Sequence, residues 1–521
     1  MRHILILVLI TLLSVTLVAQ TTMVVQNNVP YNGAMFYSHQ RNVARSSAGL
    51  LMVAWTDRSG AGGQSYYSIY DNAFQTWSPP VAFSNAADRA LQPALSADES
   101  GNIHAVWQQR ASSSDRYQIF YAKFNGSTWS APRKVSVNDA LPAEEATISV
   151  DSRGYLYVVY NNDGAGGGNE FLFGVRSTDG GTTWSTSVDT LSSGGTLGTS
   201  IEVARACLTA GPDGKLAAIW DNSLTGTAAR RETYVNQYDG TKWQGPILIS
   251  DTTIVDRDHN RYSTIAIDKQ SNIYAFYGIA IISGSDPRTR YFAMHKKSWT
   301  GTWSTKPTLL VDSSSSNFSP GMSSVVDPDG IIHIVYRRDN PADTAGLDEV
   351  AYRYSANAGA NWSTPRRVSR ADRDARYPTI ANKVRKTYGI DIAWVESRDP
   401  AITNQDTSAV MYANVPYSLV SSVVEATVPT TFTLHANYPN PFNPSTTIRY
   451  AIPAGGDYSM KLYDALGREV KTLVEGYREA GEYSVVWDGR NAASNVVPSG
   501  AYFVRLSGST GVRTIKLMLL K

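Results

Sequence analysis

Gln40, Gln92, Glu145, Arg205, Tyr262 and Tyr377 share one phase of a repeating sequence. Each lies three residues before an apolar residue, Val43, Leu95, Ile148, Leu208, Ile265 and Ile380, set in an alternating run. Arg41 follows Gln40, and Arg261 and Arg376 directly precede the two tyrosines. Guanidinium groups match the planar fork of a carboxylate, and a carboxylate beside a phenol can turn it into a nucleophile. Gathered around one opening, such residues would bind an acidic or hydroxyl-rich ligand. Gln40, Arg41, Gln92, Arg205, Arg261 and Arg376 are the expected binding set. Such positions also serve as solvated channel lining, so their meaning depends on the elements that carry them.

Those elements repeat. "GLLMVAW", "GNIHAVW", "GYLYVVY", "GKLAAIW", "SNIYAFY", "GIIHIVY" and "GIDIAW" end at Trp55, Trp107, Tyr160, Trp220, Tyr277, Tyr336 and Trp394. A Trp-bearing turn follows six of the seven, at Trp77, Trp129, Trp184, Trp243, Trp303 and Trp362, spaced 52 to 60 residues apart. A period of this size signals a repeat architecture. Within a unit, "PALSAD", "NIHAVWQQ", "YQIFYAKF" and "WSAPRKVS" read as four short strands divided by turn residues. Four-stranded units around an axis make a β-propeller, whose sheets are covered on both faces. Seven second strands predict seven blades, with six as the alternative. The seventh unit lacks the Trp turn, so residues 21–29, "TTMVVQNNV", are expected to supply its outer strand. The long charged loops, including "NDALPAEE" and "RADRDARY", then share the face onto which the ring residues open.

One of the Trp turns, "STDGGTTWS" at 177–185, carries Ser177, Asp179, Gly181, Thr183 and Trp184 in the pattern S-x-D-x-G-x-T-W. Asp71, Asn125, Asp239 and Asn357 keep parts of it. Asp and Ser side chains tie up local amides and glycine permits positive φ, so the motif reads as a structural turn. It resembles the Asp-box of the sialidase (BNR-repeat) superfamily, and the resemblance covers residues 30–415. In that family three arginines hold a substrate carboxylate, a Tyr with a Glu partner is the nucleophile, and an Asp is the acid/base. The resemblance therefore implies catalytic roles among Asp57, Glu145, Tyr262 and Tyr377. "SHQRNVARS" departs from the family's Arg-Ile-Pro motif, which supports the fold more than the reaction.

Other chemistries find little footing. The histidines are scattered, and His104 and His333 hold equivalent second-strand positions, which suits packing. "DRDHNR" at 256–261 reads as a solvated loop, so neither a metal nor a cofactor is expected. There is no phosphate-cradling Gly motif. With a net charge of +2 and 18% charged residues, nothing favours a nucleic-acid partner. The lone cysteine, Cys207, sits in an alternating run and is expected in the core.

The two ends concern export. Residues 1–20 are basic and then apolar, as in a secretory signal peptide, and no transmembrane segment is expected after cleavage. The period stops near Val415; residues 416–430 read as a linker, and 431–521 as a small Ig-like β-sandwich. "YPNPFNP" at 438–444, "LYDALGREV" at 462–470, "WDGRN" at 487–491, "SGAYFVRL" at 499–506 and the terminal "KLMLLK" follow in order. This segment resembles the type A C-terminal sorting domain of the type IX secretion system. That resemblance implies export across the outer membrane, the secretion machinery as a partner, and an extracellular or surface location. The all-β chain is thus expected to be a secreted or surface propeller that binds glycans. An exo-acting glycoside hydrolase of sialidase type and a protein-binding scaffold are the alternatives.

Overall fold

The computed structural model describes residues 22–29, 34–35, 40–58, 62–84, 87–162, 170–192, 201–224, 231–250, 263–281, 289–304, 307–310, 321–339, 347–397, 408–421, 431–454, 456–478, 481–493, 495–508 and 511–520. The expected signal peptide, Arg261, Tyr262 and the 256–261 loop lie outside them. Two compact units divide the chain, residues 1–353 with 364–419 and residues 354–363 with 420–521.

The first unit holds seven antiparallel sheets. Their innermost strands are Val43–Arg45, Arg89–Ala97, Ala143–Val150, Ile201–Ala210, Thr264–Ile267, Met322–Val326 and Ala375–Ile380. Each innermost strand touches the next, and the first also packs on Ile390–Ser397 of the seventh blade, closing the ring. The apolar second strands are buried along most of their length, because each sheet is sandwiched between two others. Trp55, Trp107, Trp220 and Trp394 are almost wholly buried between blades.

The seventh blade is completed from the N-terminus. Thr22–Val29 pairs antiparallel with Ser408–Val415, so the two ends of the propeller sequence are joined in one sheet without a disulfide. A buried ion pair locks the same seam. Arg45 of blade one grips Asp391 of blade seven through Nε and Nη2, both at 2.7 Å, and Tyr412 donates to the same carboxylate at 2.6 Å. On the face opposite the mouth, the 381–389 turn of blade seven spreads sideways. Its Lys383 and Arg385 meet Glu99 of blade two, and Lys386 meets Asp329 of blade six.

The second unit is a two-sheet sandwich. Thr433–Leu434, Thr446–Ile452 and Gly481–Trp487 face Glu469–Arg478, Gly456–Asp464, Gly500–Gly508 and Gly511–Leu519. Trp487, Ile448, Met460, Val504 and Leu517 form its core. Phe442 of "YPNPFNP" is buried against Trp487, at 5.3 Å between ring centroids. Its amide donates to Met518 and its carbonyl accepts from Leu520, so the motif is stitched to the terminal strand.

Candidate functional site

The innermost strands all begin on one face of the propeller, the mouth. The turns after the first and third strands lie on the other. Near the mouth, four innermost strands carry the same defect. In blades two, three, four and seven the ladder register slips by one residue, between Leu91 and Ala94, Glu144 and Thr147, Ala204 and Cys207, and Arg376 and Thr379. Each slip is a β-bulge that sets two residues against the aromatic of the second strand, Trp107, Tyr160, Trp220 or Trp394. The first residue of each bulge has a left-handed backbone: Gln92 at φ 56°, Glu145 at 52°, Arg205 at 60° and Tyr377 at 53°. These are four of the residues that counting back three singles out. In blade one the positive φ, 29°, falls on Arg41 instead of Gln40.

A bulge frees a backbone amide from the ladder, and a buried amide needs an acceptor. The neighbouring blade supplies it. Gln92 N–H donates to Thr56 Oγ1 at 2.9 Å, Glu145 N–H to Gln108 Oε1 at 3.0 Å, and Arg205 N–H to Glu145 Oε2 at 3.1 Å. Asn161 Nδ2 donates to the same Glu145 oxygen at 3.0 Å. Thr56, Gln108 and Asn161 each follow the terminal aromatic of a second strand. Sequence reasoning missed them; a polar residue at that fixed phase was the available signal.

Gln40 and Arg41 leave the rim and close the channel beneath it. Gln40 Nε2 reaches the Ala146 carbonyl at 3.3 Å and the Gln92 carbonyl at 3.5 Å. Arg41 is 2% exposed. Its Nη2 donates to the Ser324 carbonyl at 2.8 Å and its Nη1 to the Ile380 carbonyl at 3.2 Å, with Cys207 Sγ 3.9 Å from Nη2. Cys207 and Ile380 lie two and three residues past Arg205 and Tyr377, the first bulge residues of their strands. At about 3.3 Å rise per residue, the guanidinium sits roughly 7–10 Å below the rim. It is a channel plug, and its donors face carbonyls inside the ring instead of the mouth. Cys207 Sγ in turn lies 3.7 Å from the Thr264 hydroxyl, which meets the Ser324 hydroxyl at 3.1 Å.

Arg376 stays at the rim, where Asp374 binds its Nε and Nη2 at 2.6 Å each. Asp374 also accepts the Asp348 amide at 3.3 Å, and Asp348 pairs with Arg337. Asp57 ends the second strand of blade one, opposite Gln64. Among the described residues no tyrosine meets Glu145. The Tyr234 hydroxyl does donate to Glu232 at 3.2 Å, but burial, then the carboxylate charge, push this phenol up to about 12. That is opposite to nucleophile activation.

The Asp-box lies on the far face. Ser177 Oγ donates to Asp179 Oδ1 at 2.8 Å and accepts the Gly181 amide at 2.9 Å, while Asp179 accepts the Thr183 amide and hydroxyl at 2.8 and 2.6 Å. The Thr183 bonds hold the Asp179 carboxyl down at about 2. Trp184 packs edge-on against Tyr121 of blade two at 5.0 Å. Ser355, Asn357 and Gly359 reproduce the geometry in blade six. The motif is a turn that fastens neighbouring blades. Among the described residues, no three His, Cys, Asp or Glu side chains gather as a metal site, and no helix is long and apolar enough to cross a membrane.

The geometry defines a seven-bladed propeller with a floored polar mouth, followed by an Ig-like sandwich. Residues 445–511 match the family described as FlgD Ig-like domain. No curated protein matches the chain in sequence. Among solved structures, the chain resembles one titled a polysaccharide lyase of a new family, PL25 ulvan lyase. The TM-score is 0.53 at 12% identity, over 77% of this chain and 96% of that one. The same lyase bound to -[GlcA(1-4)Rha3S]- gives 0.52, at the same identity and coverage. The NanB sialidase of Streptococcus pneumoniae gives 0.41 at 13% identity, over 74% of this chain and 70% of that one.

Proposed function

We propose that this chain is an exported propeller that binds glycans at its mouth. The observation that carries the reading is the rim of Gln92, Glu145, Arg205 and Tyr377, each held left-handed at one level in a separate blade. A non-glycine residue pays about 1–2 kcal/mol for that backbone, and such strain concentrates where side chains must be aimed at a ligand. Amide, carboxylate, guanidinium and phenol groups over a closed floor suit the hydroxyls and ring faces of sugars. The propeller of an ulvan lyase, resembled at 12% identity, supports this reading at the level of fold. Hydrolysis of the sialidase type stands behind it. That reaction needs converging guanidinium groups, and Arg41 spends its donors on channel carbonyls.

Purified protein would be incubated with sialylated, uronic-acid-containing and neutral glycans, and both products and retained ligands followed by mass spectrometry. Retention of intact glycan is expected. Released monosaccharide, lost on Arg376→Ala, would replace binding by exo-hydrolysis; no interaction would favour a protein-binding scaffold. Export through the type IX system belongs to the same proposal, supported by the ordered motifs of residues 431–521. Deleting that segment should trap the protein in the periplasm, and continued export would refute the sorting role.

A further inference from the structure

We infer that the mouth selects uncharged sugars over acidic ones, and that Glu145 makes the distinction. The inference rests on the glycan-binding reading and deepens it. Glu145 stands on the rim beside Ala146, whose carbonyl meets Gln40 Nε2 at 3.3 Å. Its two carboxylate oxygens are used unequally. Oε2 accepts the Arg205 amide at 3.1 Å and Asn161 Nδ2 at 3.0 Å. Oε1 is left over on a half-buried side chain, with no bond to it among the described residues. No cation pairs with this carboxylate among the described residues, and Arg205 meets it through the backbone alone. Four arginines of the mouth and channel are already occupied. Arg376 is forked by Asp374, Arg337 pairs with Asp348, Arg370 is held by Glu396 at 2.6 Å, and Arg41 is engaged by channel carbonyls. Arg89 has no ion pair among the described residues, but it stands three residues before Gln92 in its strand, roughly 10 Å from the rim level.

An ionised carboxylate accepts hydrogen bonds and donates none. An uncharged sugar presents hydroxyl donors, and a bond from a hydroxyl to a charged oxygen is of the stronger kind. A sugar carboxylate or sulfate instead brings a second negative charge to Oε1, with no cation beside it to offset the repulsion. Glu145 cannot swing aside to relieve it. That would take the acceptor from the bulge amide of Arg205, and a buried amide needs one. The same anchor fixes what a neutral amide does here. The Arg205 amide can only donate, so in Glu145→Gln the side-chain oxygen stays with it and the NH2 faces the ligand. The substitution removes the charge and turns an acceptor into a donor.

The test uses the full chain and a panel of uronic-acid oligosaccharides, each beside its carboxyl-reduced form. Reduction keeps the linkage and makes the sugar neutral. Affinity is read by titration calorimetry at low salt. We expect reduced forms to bind at least about tenfold more tightly than their acidic parents. Glu145→Gln should weaken the neutral form, strengthen the acidic one, and so narrow or reverse that ratio. Acidic parents that bind as tightly as the reduced forms, or a ratio unchanged in Glu145→Gln, would overturn the inference and leave glycan binding standing. Binding of neither form across the panel would remove the glycan reading, and this inference with it.

Discussion

At the scale of single residues, the mouth and the seam make opposite demands. Gln92 is strained, and its side-chain oxygen has no partner among the described residues. Gln92→Gly should therefore raise stability by up to about 1 kcal/mol, because glycine relieves the left-handed backbone, while glycan affinity falls. A loss of stability in denaturant titration would contradict the strain argument. Arg45 has no such slack. Arg45→Ala leaves Asp391 buried without its cation, a type of change that costs about 3–5 kcal/mol. A midpoint close to wild type would show the seam is held by other contacts. Counting along the repeat reaches Gln92, Glu145, Arg205 and Tyr377 because in their four blades the bulge opposes the second-strand aromatic. It could not identify which way blade one turns. A one-residue shift of the positive φ to Arg41 sends that side chain down the channel, and no local pattern around "SHQRNVARS" records it.

At the scale of elements, the turns on the far face fasten one blade to the next. Gly181 has φ 90°, and a Cβ there would stand 1.9 Å from the Tyr121 hydroxyl. Gly181→Ala should destabilise by about 2–4 kcal/mol, from backbone strain and overpacking together, as read by urea unfolding. Asp179→Asn should be nearly silent in Tm, because Asn357 already serves the equivalent turn in blade six. Seven blades and closure by the N-terminal strand were readable from the sequence, because each strand is short, punctuated and apolar at a fixed phase. The sideways reach of the 381–389 turn was not. Its partners, Glu99 and Asp329, are distant in sequence and meet it only because the ring closes.

At the scale of the whole molecule, acid should loosen the propeller. His104 and His333 are buried beside Asp98 and Asp327, at 3.1 and 3.3 Å. Burial pushes both imidazoles below their usual range, against the pull of the carboxylates. The unfolded chain then takes up protons first as pH falls through about 6.5, so stability declines from there towards the lower folded values. Burial opposes ionisation of the two aspartates, but hydrogen bonds from the histidines outweigh it and hold them low. Their own contribution is lost later, as pH falls below about 4. His104→Gln with His333→Gln should flatten the decline between pH 7 and 5; an unchanged slope would assign it elsewhere. The central claim is that the bulged rim binds glycan. Its most direct test is titration calorimetry of the retained glycan against wild type, Glu145→Gln, Tyr377→Ala and the far-face control Asp179→Asn. The account predicts affinity weakened at least about tenfold by each rim change, roughly 1.4 kcal/mol, and untouched by the control. Equal affinity across all four proteins would place the site away from the mouth and contradict it.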